Sequence, residues 1–387
     1  MRDWNITIMN SHSHFGRIQE GLDNAFNKGI MQMKHFKIKL NVYPKKWYRD
    51  VDGYEYADLE RLLKAFGNHI FALQMDLDGH WSCNWREFSL PRLEHLTINK
   101  NIYPVDSMKY EEFRMLCNGI YLIENHRSTL KSLTLDGGSD EPLLPMGGIT
   151  SAPHLETLKI YQLSNRHEEK PAIGHKALFL LNYSRNITKL SISCVNLSDL
   201  PAECLTFPKL KHLELGSYKS FGIIEQNKER LESLVILRGL HREEANFPFP
   251  TRLPKLKTLV FRNCLPWVTR DVLGRLVSAK ISLDNVIIYD VMVSCGGDIC
   301  VPDGGVLNLK RFIFTDPYKD LCLAMLSENA STVECIMTYL NRIESDVEEV
   351  AGLLSGLPKL KQLIISHSEE DSNRYDYDYY PRGGGLV

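Results

Sequence analysis

One apolar spacing recurs along most of this chain and restricts what it can fold into. In Pro254-Lys-Leu256-Lys-Thr-Leu259-Val-Phe261-Arg-Asn-Cys264, counting from Leu256, apolar residues stand at positions one, four and six and a Cys at position nine. The same spacing starts at Met33, Ile70, Leu93, Leu130, Leu155, Ile187, Leu210, Leu231, Leu256, Leu283, Leu309, Val333 and Leu360. Between the first and last of these thirteen starts the steps average about 27 residues and run from 21 to 37, inside or near the period of stacked solenoid repeats. A single copy cannot bury its apolar face alone, so each must stack on the next.

The clearest copies read LPRLEHLTI, APHLETLKI, FPKLKHLEL, LPKLKTLVF and LPKLKQLII. Their prolines, Pro91, Pro153, Pro208, Pro254 and Pro358, stand two residues before the first apolar position. Proline cannot donate to a sheet ladder and belongs ahead of a strand. Between the strand segments lie apolar residues at helical spacing, such as Leu59, Leu62, Leu63 and Phe66, then Phe113, Leu116, Cys117 and Ile120. Ser345-Asp-Val-Glu348 has capping-box spacing ahead of a stripe through Val347, Val350 and Leu354.

Strand alternating with helix or turn predicts an α/β leucine-rich-repeat solenoid of about thirteen irregular repeats. Its curved parallel sheet lines the concave side, and helices and irregular turns form the convex side. Position nine is Asn or Cys only at Asn41, Asn101, Cys264 and Asn341, so the buried Asn ladder of a regular solenoid is expected to be incomplete. Residues 1–32 match the repeat poorly and read as an N-terminal cap or the remnant of a preceding domain. Residues 33–367 form the repeat domain, and the polar, Tyr-rich stretch 368–387 reads as a disordered tail.

The 46 basic and 48 acidic residues leave a net charge of −2, which offers no global field for nucleic acid or an acidic membrane surface. The N-terminus has no signal-peptide core and no stretch reaches membrane-spanning length, which predicts a cytoplasmic or nuclear address. The nine cysteines are scattered without a C-x-x-C, as befits reduced thiols. Sequons at Asn5, Asn182, Asn186, Asn196 and Asn329 are a weak contrary sign.

No phosphate loop, H-E-x-x-H, G-x-S-x-G or zinc-type pairing is present, so no catalytic residue, cofactor or metal ligand is assigned. His12 and His14 lack a third nearby ligand. Cys295-Gly-Gly-Asp-Ile-Cys300 reads as a turn, and the alternating Tyr375, Tyr377, Tyr379 and Tyr380 as a solvated tail.

The strand's period of two sends positions one, four and six to the core and positions three, five and seven to the concave face. Early copies place polar residues there: His35, Lys37 and Lys39, Gln74 and Asp76, His95, Thr97 and Asn99, Ser132, Thr134 and Asp136. Later copies place Val235, Leu237, Val260, Arg262, Ile287, Tyr289, Arg311, Ile313, Met337, Tyr339 and Ile364. Such an apolar run rimmed by Arg and Tyr is expected to bind a protein partner.

The L-P-K-L-K-x-L openings resemble those of intracellular leucine-rich-repeat proteins, and most closely the repeat domains of F-box substrate receptors. That resemblance implies a non-catalytic recognition module holding a protein for a cullin ubiquitin ligase. It also implies a cullin-ligase adaptor as a partner, given an F-box upstream, since residues 1–32 carry no L-P-x-E opening. A ligase-independent scaffold or inhibitor is the alternative.

Overall fold

A computed structural model of the chain describes residues 3–9, 37–43, 66–76, 88–100, 121–137, 152–162, 185–193, 200–216, 221–237, 252–262, 266–289, 307–315, 326–339 and 355–366, with a few single positions between them. Their strands form one 14-stranded sheet in which spatial order follows chain order. The strands are β1 (Asp3–Met9), β2 (Lys37–Tyr43), β3 (Ile70–Asp76), β4 (His95–Lys100), β5 (Ser132–Gly137), β6 (Thr157–Gln162) and β7 (Lys189–Ser193). They continue with β8 (His212–Leu215), β9 (Ser233–Leu237), β10 (Thr258–Arg262), β11 (Asn285–Tyr289), β12 (Arg311–Thr315), β13 (Cys335–Tyr339) and β14 (Gln362–Ser366). Each pair of neighbours is parallel. Parallel neighbours need a crossover, which the 21- to 37-residue repeat steps supply.

The register stacks like positions of successive copies. Position four builds one core row, from Leu73 through Leu96, Leu133, Leu158, Leu190, Leu213, Leu234, Leu259 and Val286 to Phe312 and Ile336. Each of these is at most 2 % exposed. Position one adds a second buried line, from Leu93 to Val333, ahead of the strands.

Among the described residues, several helical pieces lie on this core side. Residues 121–126 bury Leu122 and Ile123. Helix α1 (Gly222–Asn227) buries Ile223 and Ile224. Helix α2 (Pro266–Ser278) opens on Pro266, where a missing N–H costs nothing, and buries Val268, Val272, Leu273 and Leu276 along one stripe. A helix occupies roughly 10 Å where a strand takes about 4.8 Å, so the strand side is the inner side of the stack.

Two buried asparagines tie helix ends to the turns ahead of the strands. Asn227 Oδ1 accepts from Phe207 N–H at 2.9 Å, and its Nδ2 donates to Leu205 O and Ile223 O at 2.8 and 2.7 Å. Asn329 Oδ1 accepts from Leu307 N–H at 2.8 Å. Both stand four residues before a first apolar position, Leu231 and Val333. His126 has the same place before Leu130, and burial lowers its imidazole pKa to about 4 with Nε2 unbonded.

Several sequence expectations shift. Register pairs Leu40 with Leu73 and Val42 with Met75, so the copy starting at Met33 is framed four residues too early. An even shift preserves the period-two alternation of the sequence, so the pattern alone could not reveal the slip. Asn41 consequently pairs with Gln74 in mid-strand and is no ninth-position ladder residue. Cys264 does act as one: it is buried, its Sγ donates to Ile236 O at 3.1 Å, and burial pushes its thiol up to about 12. Sequon Asn329 is 1 % exposed, with its amide oxygen bonded to the Leu307 N–H. Part of residues 1–32 forms β1, continuous with the same sheet. Met33, Asn101, Asn341, the stripes around Phe113 and Val347, and the tail lie outside the described residues.

Replacing Asn227 with Ala strands buried backbone groups of the β8 turn. A loss of about 2–4 kcal/mol is expected, read as a lower urea midpoint at constant slope. His126 titrates near 6.5 unfolded and about 4 folded, so the unfolded chain takes up the proton first as pH falls. Stability is full above pH 6.5 and falls by about 2 kcal/mol by pH 5, a loss that His126→Phe should remove in denaturation curves.

Candidate functional site

The face away from the helices is ordered by the same register. Its middle row runs Thr7, Asn41, Gln74, Thr97, Thr134, Lys159, Ser191 and Glu214 from β1 to β8, then Val235, Val260, Ile287, Ile313, Met337 and Ile364 from β9 to β14. Eight polar residues are followed without interruption by six apolar ones. The change falls between Glu214 and Val235, which are direct neighbours.

The apolar part ranges from buried to exposed. Val235, Ile287, Ile313 and Met337 are half-buried, Val260 is 9 % exposed and Ile364 is 37 % exposed. Side-by-side β-branched residues cover one another at strand spacing, which accounts for the partial burial. The alternation in β9 shows the two faces: Leu234 and Ile236 are buried while Ser233, Val235 and Leu237 are half-buried.

Of the other expected site residues, Leu237 and Arg262 are adjacent on β9 and β10, half-buried, with Tyr289 next in register on β11. Arg311 is exposed and stands beside Asn285 and Cys335. Tyr339 pairs in register with Thr315 and Ser366. All eleven therefore share one face over β9–β14. His12, His14, Cys295, Cys300 and the tail tyrosines lie outside the described residues.

Position two, where each strand starts, carries a pattern that reading positions one and three to seven passes over. From β4 to β14 it reads Glu94, Lys131, Glu156, Thr188, Lys211, Glu232, Lys257, Asp284, Lys310, Glu334 and Lys361. Charge alternates at every step except Thr188. Their backbones form a parallel ladder: Glu232 O accepts from Lys257 N–H at 2.9 Å and Thr258 N–H at 3.2 Å, and Lys310 O likewise serves Glu334 and Cys335. Side-chain pairs close at Lys131–Glu94 (3.2 Å), Lys211–Glu232 (3.0 Å), Lys310–Asp284 (2.7 Å) and Lys361–Glu334 (2.9 Å).

The Lys211 hydrogen bond lowers the Glu232 pKa, the Lys361 bond lowers that of Glu334, and the Asp284 bond raises that of Lys310. Exposed pairs add little stability singly. Pairing that skipped one copy, however, would set like charges together from Lys211 onward, as Lys211 beside Lys257 and Glu232 beside Asp284. Alignment of the copies makes this alternation visible in sequence.

A groove of about 730 Å³ follows the early part of this edge, lined by Phe71, Glu94, Lys131, Glu156, Thr188 and Lys209 among others. Among the described residues no group of His, Cys, Asp or Glu has metal-binding geometry. No helix among them is long and apolar enough to cross a membrane. No protein-family model matches this chain, and no curated protein matches it.

Glu232→Lys places three like charges in succession with Lys211 and Lys257. A lower melting temperature is expected at low salt, with the difference narrowing in high salt and reversing when Lys211→Glu and Lys257→Glu are added. Thermal melts of the three chains at two ionic strengths check it.

Proposed function

We propose that this chain is a non-catalytic protein-recognition module whose binding surface is the open face of β9–β14. The observation that carries this reading is the unbroken run Val235, Val260, Ile287, Ile313, Met337 and Ile364 in a register row that is polar from β1 to β8. A sheet face with no helix over it is ordinarily polar, and a contiguous apolar strip marks an interaction site. The address proposed for this activity is cytoplasmic or nuclear.

The L-P-K-L-K-x-L openings support a finer form of the proposal, in which the module is the substrate-binding part of an F-box type receptor of a cullin ubiquitin ligase. The alternative is a scaffold or inhibitor that recruits no ligase. Co-purification of the cullin-ligase adaptor with the captured partner separates the two.

Ile287→Asp combined with Ile313→Asp puts two carboxylates in the centre of the row. Capture of partner proteins from extract is expected to fall at least about tenfold, corresponding to a loss of about 1.4 kcal/mol or more. The far-ultraviolet circular dichroism should be unchanged, because both side chains lie on the open side. Undiminished capture would overturn the proposal.

A further inference from the structure

The shape of the apolar row narrows what can lie on it, an inference that rests on the recognition surface proposed above. The row is one residue wide and six strands long, crossing the strands at right angles. Five strand spacings of about 4.8 Å give it a length of roughly 24 Å. On one side it is bordered by the polar row of Ser233, Thr258, Asn285, Arg311, Cys335 and Gln362. On the other side stand Leu237 and Arg262, followed by the register positions of Tyr289, Thr315, Tyr339 and Ser366.

A partner segment running along this line must present apolar groups in step with the strands. An extended segment repeats its same-side residues about every 6.7 Å and falls out of step by roughly 2 Å per strand. An amphipathic helix presents one apolar group per turn, every 3.5 residues or about 5.3 Å, and stays close to the 4.8 Å spacing. Six such groups, separated by five intervals of about 3.5 residues, require a helix of about 18 residues.

Charge sets the flanks of that helix. Across β9–β14 the three rows of the open face hold Arg262 and Arg311 and no Asp or Glu, although the whole chain is slightly acidic. The two arginines lie on opposite sides of the apolar row, two strands apart. Over β3–β8 the same rows mix Asp76, Asp136 and Glu214 with Lys159 and Lys189. We infer that the surface takes an amphipathic α-helix of about 18 residues, with a narrow aliphatic stripe flanked by acidic residues, laid across β9–β14.

The test uses the full chain and three 18-residue fluorescent peptides read by anisotropy. One has Leu at heptad positions a and d with Glu at the flanking e and g positions. The second carries Lys in place of Glu, and the third carries Pro in place of the two central Leu. The first peptide is expected to bind at least about tenfold more tightly than either of the others. Arg311→Glu, at an exposed position, should erase the preference for Glu over Lys, and Ile364→Asp should weaken binding of the first peptide.

Equal binding of the Pro peptide, or preference for the Lys peptide, overturns the inference. So does failure of all three peptides while Ile287→Asp with Ile313→Asp still abolishes capture of cellular partners, a result that leaves the recognition surface itself standing. Loss of neither peptide binding nor partner capture in that double variant overturns both readings.

Discussion

The parallel backbone ladder between successive strand starts is the interaction on which the rest of this fold depends. At each step a position-two carbonyl receives N–H groups from the next copy, as Glu94 O does from Lys131 and Ser132 and Glu334 O from Lys361 and Gln362. That contact sets the offset between neighbours, and because a strand alternates with period two it sets the face of every following side chain. The alternating Glu and Lys residues on the same positions oppose a slip along the edge. Backbone geometry and side-chain charge thus specify the same register.

Once register is set, the two faces follow different rules. The core side is an aliphatic stack in which Leu dominates position four until Val286, Phe312 and Ile336 replace it. Helices and turns cover that side, with Asn227 and Asn329 satisfying buried backbone groups where a helix end meets a turn. No helix of the described residues lies on the opposite side. Over β1–β8 the middle row is polar; over β9–β14 it is apolar. Neither the ladder nor the core calls for that change.

Much of this was legible in sequence because burial imposes a strong pattern. The starts from Leu93 to Leu360 each precede a strand, and the eleven residues assigned to the inner face share one face over β9–β14. What sequence obscured has identifiable causes. The frame of β2 slipped by four residues because KIKLNVY alternates too evenly to mark its own start. Strand β1 escaped because DWNITIM carries alternating Trp4, Ile6 and Ile8 without the position-one residue that flags a copy. The charge ladder escaped because position two faces neither the core nor the open sheet. Asn227 escaped because its role lies in contacts with Leu205 and Phe207, some twenty residues away.

Accessibility along three strands, β9, β11 and β12, tests the central claim most directly. Cysteines introduced singly at Val235, Ile287 and Ile313, and at their core-facing neighbours Leu234, Val286 and Phe312, would be labelled with a maleimide in the folded protein. Peptide mass mapping would keep them distinct from the native thiols. The account predicts fast labelling at the first three positions and protection at the second three. Equal rates within each neighbouring pair, or protection of Val235, Ile287 and Ile313 in the isolated chain, would contradict it.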